Sequence, residues 1–354
     1  MDNFCVLPWF GREISYTGTE THCCLLPRKY DITQIRKEMQ EGGRPAACQK
    51  CWNLEDQGIR SDRQVKNETL DYYLDRDISF IKQDAIKQGE TIKMLKLLTS
   101  YTCNAMCVIC NPSASSSWNV LAQKINPLFP INHYQFVDIK RVKQQVDFRN
   151  LAALSLIGGE PLYEKKNLEL LEYILEQGND SIFISIVTNG SVALTSKWKE
   201  ALGRFRNINF SVSIDGIGRV FEYTRYPLRW VDLQDNLRFF RELTNNISSN
   251  YTVSNLNVLY HQETVQWFLD QKINFSINPI YKPEYLSPSA LPADIKKYIS
   301  STFTALSPEH QIEFSYSEQD DINYTAFRKK IKEQDQAKNI KMKDYLLKLA
   351  DMLG

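Results

Sequence analysis

The chain has 354 residues, with 43 Lys and Arg against 42 Asp and Glu, a formal net charge of +1. Hydrophobic residues make up 43% and charged residues 24%, ordinary soluble usage that excludes a disordered or collagen-like chain, and the charge balance excludes a whole-molecule electrostatic grip on nucleic acid. No run approaches the ~18 apolar residues of a membrane span, and no basic-then-apolar start reads as a secretory signal, so a cytoplasmic protein is expected.

Residues 1–68 are polar and loop-rich, and they hold five of the 8 cysteines: Cys5, Cys23, Cys24, Cys48 and Cys51. Within this segment, Asp31 to Met39 reads as a short helix that stops at Gly42-Gly43. Residues 69–91 form a helical linker, with apolar residues from Leu70 to Ile86 at roughly helical spacing. Thereafter strands and helices alternate. The predicted strands are 92–99, 154–157, 182–187, 208–214, 253–259 and 274–280, and the helices lie near 116–126, 165–177, 195–204, 230–244 and 262–271. Short apolar strands each followed by an amphipathic helix call for parallel pairing with right-handed crossovers. Six units are too few for an eight-fold barrel. The fold class is therefore α/β: a partial (β/α)6 barrel over 92–285, with the N-terminal cysteine-rich module before it. A helical C-terminal region, 286–354, carries Lys329, Lys330, Lys332, Lys338, Lys341 and Lys343. A solvated helix face is the plainer account of those lysines, a partner surface the other.

The cysteines carry the chemistry. No disulfide framework is needed in a chain this long, and clustered thiols in a reducing compartment are metal ligands or redox groups. None follows Cys110, so two sites are expected. Cys103-Asn-Ala-Met-Cys107-Val-Ile-Cys110 stands just after the first barrel strand. Three thiolates at this spacing wrap one face of a cubane cluster and leave one iron without a protein ligand, as open catalytic metal positions require. A zinc knuckle lacking its fourth ligand is the alternative, and the nearest histidine, His133, is far along the chain. In the N-terminal segment, Cys5, Gly18-x4-Cys23-Cys24 and Cys48-x2-Cys51-Trp52 supply five thiols, four of which would suit zinc or a second iron–sulfur cluster alike.

The central motif resembles the signature of the radical S-adenosylmethionine (radical SAM) enzymes. Further matches follow in order at strand ends: Gly158-Gly159-Glu160-Pro161, Thr188-Asn189-Gly190 and Ser213-Ile-Asp215-Gly216. Ligands bind at that end of parallel strands. The resemblance implies that Cys103, Cys107 and Cys110 hold a [4Fe–4S] cluster whose open iron chelates the methionyl group of S-adenosylmethionine. It also implies that Ile109 meets the adenine through its backbone, in a position that is usually aromatic in the family. Gly158, Gly159 and Glu160 would receive the ammonium, and Asn189 and Ser213 the hydroxyls. Arg225 would take the carboxylate, in preference to Arg219 and Arg229 on spacing alone. Asp215 is either one of these contacts or a helix N-cap.

The N-terminal cysteines resemble the twitch form of the SPASM auxiliary-cluster module, here ahead of the barrel instead of behind it. That resemblance makes Cys5, Cys23, Cys48 and Cys51 the ligands and Cys24 the spare, with Pro8-Trp9 and Trp52 as an apolar shell. The radical SAM resemblance implies reductive cleavage of S-adenosylmethionine to a 5′-deoxyadenosyl radical that abstracts hydrogen from a substrate, and the auxiliary-cluster resemblance makes a peptide or protein the leading case. A reductant such as flavodoxin or ferredoxin would supply the electron. The competing reading is a non-catalytic iron–sulfur or zinc scaffold or electron-transfer protein. No catalytic acid or base stands out.

Overall fold

The computed structural model describes residues 3–74, 77–130, 133, 135–303, 306–317 and 319–353. Among the described residues, eight strands form one sheet in the order β2-β1-β3-β4-β5-β6-β7-β8. They are β1 Gly11–Ser15, β2 Glu20–Thr21, β3 Met94–Leu98, β4 Ala153–Ile157, β5 Phe183–Thr188, β6 Asn207–Val212, β7 Ile247–Val253 and β8 Asn274–Pro279. The recorded pairings from β3 onward, and that of β1 with β3, are parallel; β2 alone is antiparallel. This is an α/β fold with a parallel sheet, its crossover connections carrying the helices.

The chain divides into two compact units. The first comprises Met1–Ser100, Gln135–Ile186 and Thr195–Asn209. Within it the N-terminal segment is more ordered than its polar composition suggests. Gly11 to Ser15 pair in register with Met94 to Leu98 and extend the sheet. Arg12 and Glu13 hide this strand from a search for apolar runs, because only Gly11 and Ile14 of β1 are buried. The segment's core gathers Phe4, Val6, Trp9, Met39, Trp52 and Leu70 with Cys5. The helix at Ile32–Gln40 forms as expected, with Asp31 accepting from Thr33 N and Gln34 N. The single helix expected over 69–91 is instead two, Asp62–Leu74 and Ile78–Gln88. Asp77 accepts from Ser79 N and starts the second.

The second unit comprises Tyr101–Tyr134, Val187–Leu194 and Phe210–Gly354. Its strand β7 lies earlier than the expected 253–259. Ile247, Ser249, Tyr251 and Val253 point to the buried side, alternating with Ser248, Asn250 and Thr252. That polar alternation masked the strand, and the apolar residues after it close a turn in which Asn257 Oδ1 accepts from Ser254 N. The helices at Ser116–Ile125, Trp230–Leu243 and His261–Asp270 fall where the periodicity placed them. The C-terminal region is helical over Ala293–Thr302, Asp320–Lys338 and Leu347–Leu353. Five of its six named lysines are exposed, but Lys338 is buried, a departure from the solvated face. No described helix is long and apolar enough to cross a membrane.

Candidate functional site

In the second unit, Cys103, Cys107 and Cys110 share one loop that is held by backbone bonds. Met106 N donates to Tyr226 O at 2.7 Å and Val108 N to Thr224 O at 2.9 Å. The serines that follow the loop, Ser115 to Ser117, are its clamp. Ser115 Oγ donates to Ala105 O at 2.7 Å and Ser117 Oγ to Cys103 O at 2.7 Å. Cys103 N donates to Ser116 Oγ, and Ser115 also accepts from Trp118 N as the helix cap. Trp118 Nε1 reaches Cys107 O at 2.7 Å. The loop conformation is therefore fixed by hydrogen bonds from backbone, serine and tryptophan groups.

Two predicted residues reach the sulfurs. Asn189 Nδ2 lies 3.9 Å from Cys103 Sγ and donates to Asn104 Oδ1 at 2.8 Å. Arg225 Nη1 lies 3.9 Å from Cys107 Sγ. Arg225 and Asp215 form a buried ion pair, Nη2 to Oδ2 2.7 Å, with side chains 11% and 2% exposed. Yet Arg225 Nε and Asp215 Oδ2 have no hydrogen bond of acceptable geometry, an unusual cost for buried polar atoms. Burial pushes the Asp215 carboxyl up against the pull of Arg225. Asp215 Oδ1 accepts from Thr252 N and its carbonyl from Asn257 Nδ2, so it caps no helix; Gly218 stands at that position. Arg219 and Arg229 are spent elsewhere, on Asp344 O and Asp232. Ser213 is half-buried, its N–H donating to Thr188 O, and Ile109 is half-buried on the loop.

The first unit holds the other predicted residues. Gly158 and Gly159 have φ of 91° and 49°, which favour glycine. A Cβ on Gly158 would meet Ser100 O at 2.7 Å, so this turn admits no larger residue. Glu160 is fully buried and accepts from Leu162 N at 3.1 Å.

Cys5, Cys23, Cys48 and Cys51 line one small, partly open apolar cavity of about 20 Å³ with Leu7, Pro8 and Met39. They arrive from separate segments. Asn67 brackets Cys5 by accepting from Val6 N and donating to Phe4 O. Cys48 and Cys51 stand at the start of the helix Gln49–Asp56. Arg63, at the cavity wall, bonds Glu55 at 2.6 Å with side chains 5% and 4% exposed, and donates to Phe4 O. It also lies 5.0 Å from the centre of the Trp52 ring. Burial pushes the Cys48 thiol up to about 11 and raises Cys5 and Cys51 as well. Cys24 is exposed and not part of the wall. Among the described residues, no three His, Cys, Asp or Glu side chains converge on a single-ion position.

Residues 97–270 match the model of the Radical SAM superfamily, and this stretch is a radical SAM domain. Among similar proteins is the radical SAM cyclopropyl synthase TigE of Paramaledivibacter caminithermalis, 27% identical over 202 residues, which cover 54% of this chain and 40% of that protein. The match thus spans two-fifths of the relative's length. Solved structures that match part of the chain include anSMEcpe with bound AdoMet, at 16% identity and a TM-score of 0.44, covering 59% of this chain and 58% of that one. Another is SuiB of Streptococcus suis bound to the precursor peptide SuiA, at 17% identity and a TM-score of 0.41, covering 84% and 64%. The family implies a [4Fe–4S] cluster and S-adenosylmethionine. The second unit fits both: three thiols on one clamped loop suit the cluster, and the unpartnered Nε of the buried Arg225 suits a carboxylate-bearing ligand.

Proposed function

We propose that the chain is a radical SAM enzyme in which Cys103, Cys107 and Cys110 hold the cluster that cleaves S-adenosylmethionine. The observation that carries this is the buried Arg225 beside Cys107, with its Nε unsatisfied. When bound, cluster and cofactor supply a 5′-deoxyadenosyl radical that abstracts hydrogen from the substrate. The chain's own residues do the rest. Arg225 receives the methionyl carboxylate, and Asp215 holds the guanidinium in place by a pair shielded from water. Asn189, fixed by Asn104 and Ser191, presents a neutral amide to a hydroxyl. Ser213 offers a second such group, and Ile109 contributes its backbone carbonyl. Gly158, Gly159 and Glu160 receive the ammonium group.

Cys5, Cys23, Cys48 and Cys51 hold an auxiliary iron–sulfur cluster in this account, supported by the cavity they share. The N-terminal segment 1–68 is then a twitch/SPASM-like module, and its presence favours a peptide or protein substrate. A flavodoxin or ferredoxin supplies the electron.

The test is anaerobic reconstitution followed by dithionite and S-adenosylmethionine. The account expects methionine and 5′-deoxyadenosine. Absence of both, with a fully loaded cluster, would leave the scaffold reading in its place.

A further inference from the structure

We propose that the groove between the long C-terminal helix, Asp320–Lys338, and the segment from Ile340 to Leu353 docks an acidic one-electron carrier protein. There the carrier reduces the cluster at Cys103, Cys107 and Cys110. The inference rests on the function proposed above.

The groove encloses about 750 Å³ and its rim carries Arg328, Lys332, Lys341 and Lys343. All four are exposed, and none pairs with a carboxylate among the described residues. Two carboxylates share the rim, Asp335 and Asp351. Asp335 is already engaged, accepting from Tyr223 O–H at 2.9 Å and from Met342 N at 2.7 Å. On a chain whose formal net charge is +1, this is a local concentration of positive charge around an apolar floor of Phe327, Ile331 and Leu353. A rim of that sign selects an acidic partner and speeds its encounter.

The position of the groove gives the partner its task. The helix turn that forms one wall, Asp335 to Asn339, carries Lys338 on its inner side, 6% exposed. Lys338 O accepts from Tyr226 O–H at 3.2 Å, and Lys338 Nζ lies 5.8 Å from the centre of the Tyr226 ring. Tyr226 O in turn accepts from Met106 N, inside the cysteine loop. Lys338 also lies within the electrostatic reach of Cys107. The basic groove is therefore backed by one tyrosine layer and then by the loop, within a single compact unit. A second groove of the same unit, about 630 Å³, is lined by Glu263 and Asp270, and its Lys348 is paired to Glu263. That groove has the wrong sign for the same partner.

The step transfers one electron and no proton. The reduced flavin or iron–sulfur group of the carrier is oxidised by one electron, and the [4Fe–4S]2+ cluster becomes [4Fe–4S]+.

The test compares two reductants on the reconstituted protein, read by the electron paramagnetic resonance signal of the reduced cluster and by binding of the carrier. With flavodoxin hydroquinone, an acidic flavin protein, binding and reduction rate should both fall as sodium chloride rises. The variant K332E/K341E/K343E should lose about tenfold or more in that rate, and should weaken flavodoxin binding. With dithionite, variant and wild type should reduce alike and release equal 5′-deoxyadenosine. Flavodoxin reduction of the wild type that does not respond to salt would overturn the docking surface. So would a triple variant that flavodoxin reduces at the wild-type rate. Failure of wild type to cleave S-adenosylmethionine with dithionite would instead strike the underlying function, since that arm does not involve the groove.

Discussion

In the first unit, Cys5, Cys23, Cys48 and Cys51 come from three stretches of chain and meet around an apolar cavity with Arg63 at its wall. In the second, Cys103, Cys107 and Cys110 share one short loop and face Asn189, Arg225 and, through Arg225, Asp215. The first arrangement surrounds its contents with thiols and hydrocarbon. The second offers thiols on one side and hydrogen-bonding groups on the other, which is what a metal site needs if it is to present a polar ligand. The difference teaches that cysteine count alone does not assign roles; the groups facing the sulfurs do.

The largest effect expected from breaking this contrast is at the polar side of the loop. Arg225→Leu should leave the cluster's absorption intact but weaken S-adenosylmethionine binding by roughly 10-fold or more, because a buried charge-assisted contact is lost and Asp215 is left unpaired. Binding is read by the perturbation of the reduced cluster's resonance signal. Gly159→Val should give a similar binding defect from the first unit, again with the cluster spectrum unchanged, because a branched side chain is forced onto a backbone at φ 49°. Normal cleavage by that variant would mean the ammonium lies elsewhere.

Next in size is the support of the apolar cavity. Arg63→Met strands Glu55 inside the first unit and should cost about 3 kcal/mol, read as a lower urea midpoint. The same pair sets a pH dependence. Burial pushes the Glu55 carboxyl up, but the bonds from Arg63 and Ser61 outweigh it and hold it below its ordinary value. A carboxylate depressed in the folded state contributes stability that is complete above its unfolded pKa, about 4.3, and is lost as pH falls through the folded value. Wild type should therefore weaken below about pH 4.3 more steeply than Glu55→Gln.

The smallest effect lies in the clamp. Trp118→Phe removes the bond to Cys107 O and should cost about 1 kcal/mol, while leaving the iron content unchanged.

The two regions also differ in how far they were legible. The three-cysteine loop is a local pattern, so its residues could be named from spacing, whereas the strand-end residues rested on the family resemblance. The pairing of Arg225 with Asp215 was half visible, since spacing favoured Arg225 over Arg219 and Arg229 but left Asp215 open to an N-cap. The serine clamp at 115–117 is not legible in the sequence, because a hydroxyl clamp has no spacing rule of its own. In the first unit, β1 was invisible because its sheet-forming residues Arg12 and Glu13 are charged, and a strand is recognised by apolar alternation. Strand β7 was displaced for the same reason, its exposed side being Ser248, Asn250 and Thr252. Lys338 could not be told from its solvated neighbours, because its burial depends on packing against Tyr226 and not on the helix's own pattern.

The division of labour between the two cysteine sets is the central claim, and one paired measurement tests it. Reconstituted, dithionite-reduced protein is given S-adenosylmethionine, and 5′-deoxyadenosine is counted for two variants. Changing Cys103, Cys107 and Cys110 to alanine should abolish the product, since the loop is then without thiolates. Changing Cys48 and Cys51 to alanine should leave that cleavage in place. Cleavage that survives the triple change and disappears with the double one would contradict the account and exchange the roles of the two sites.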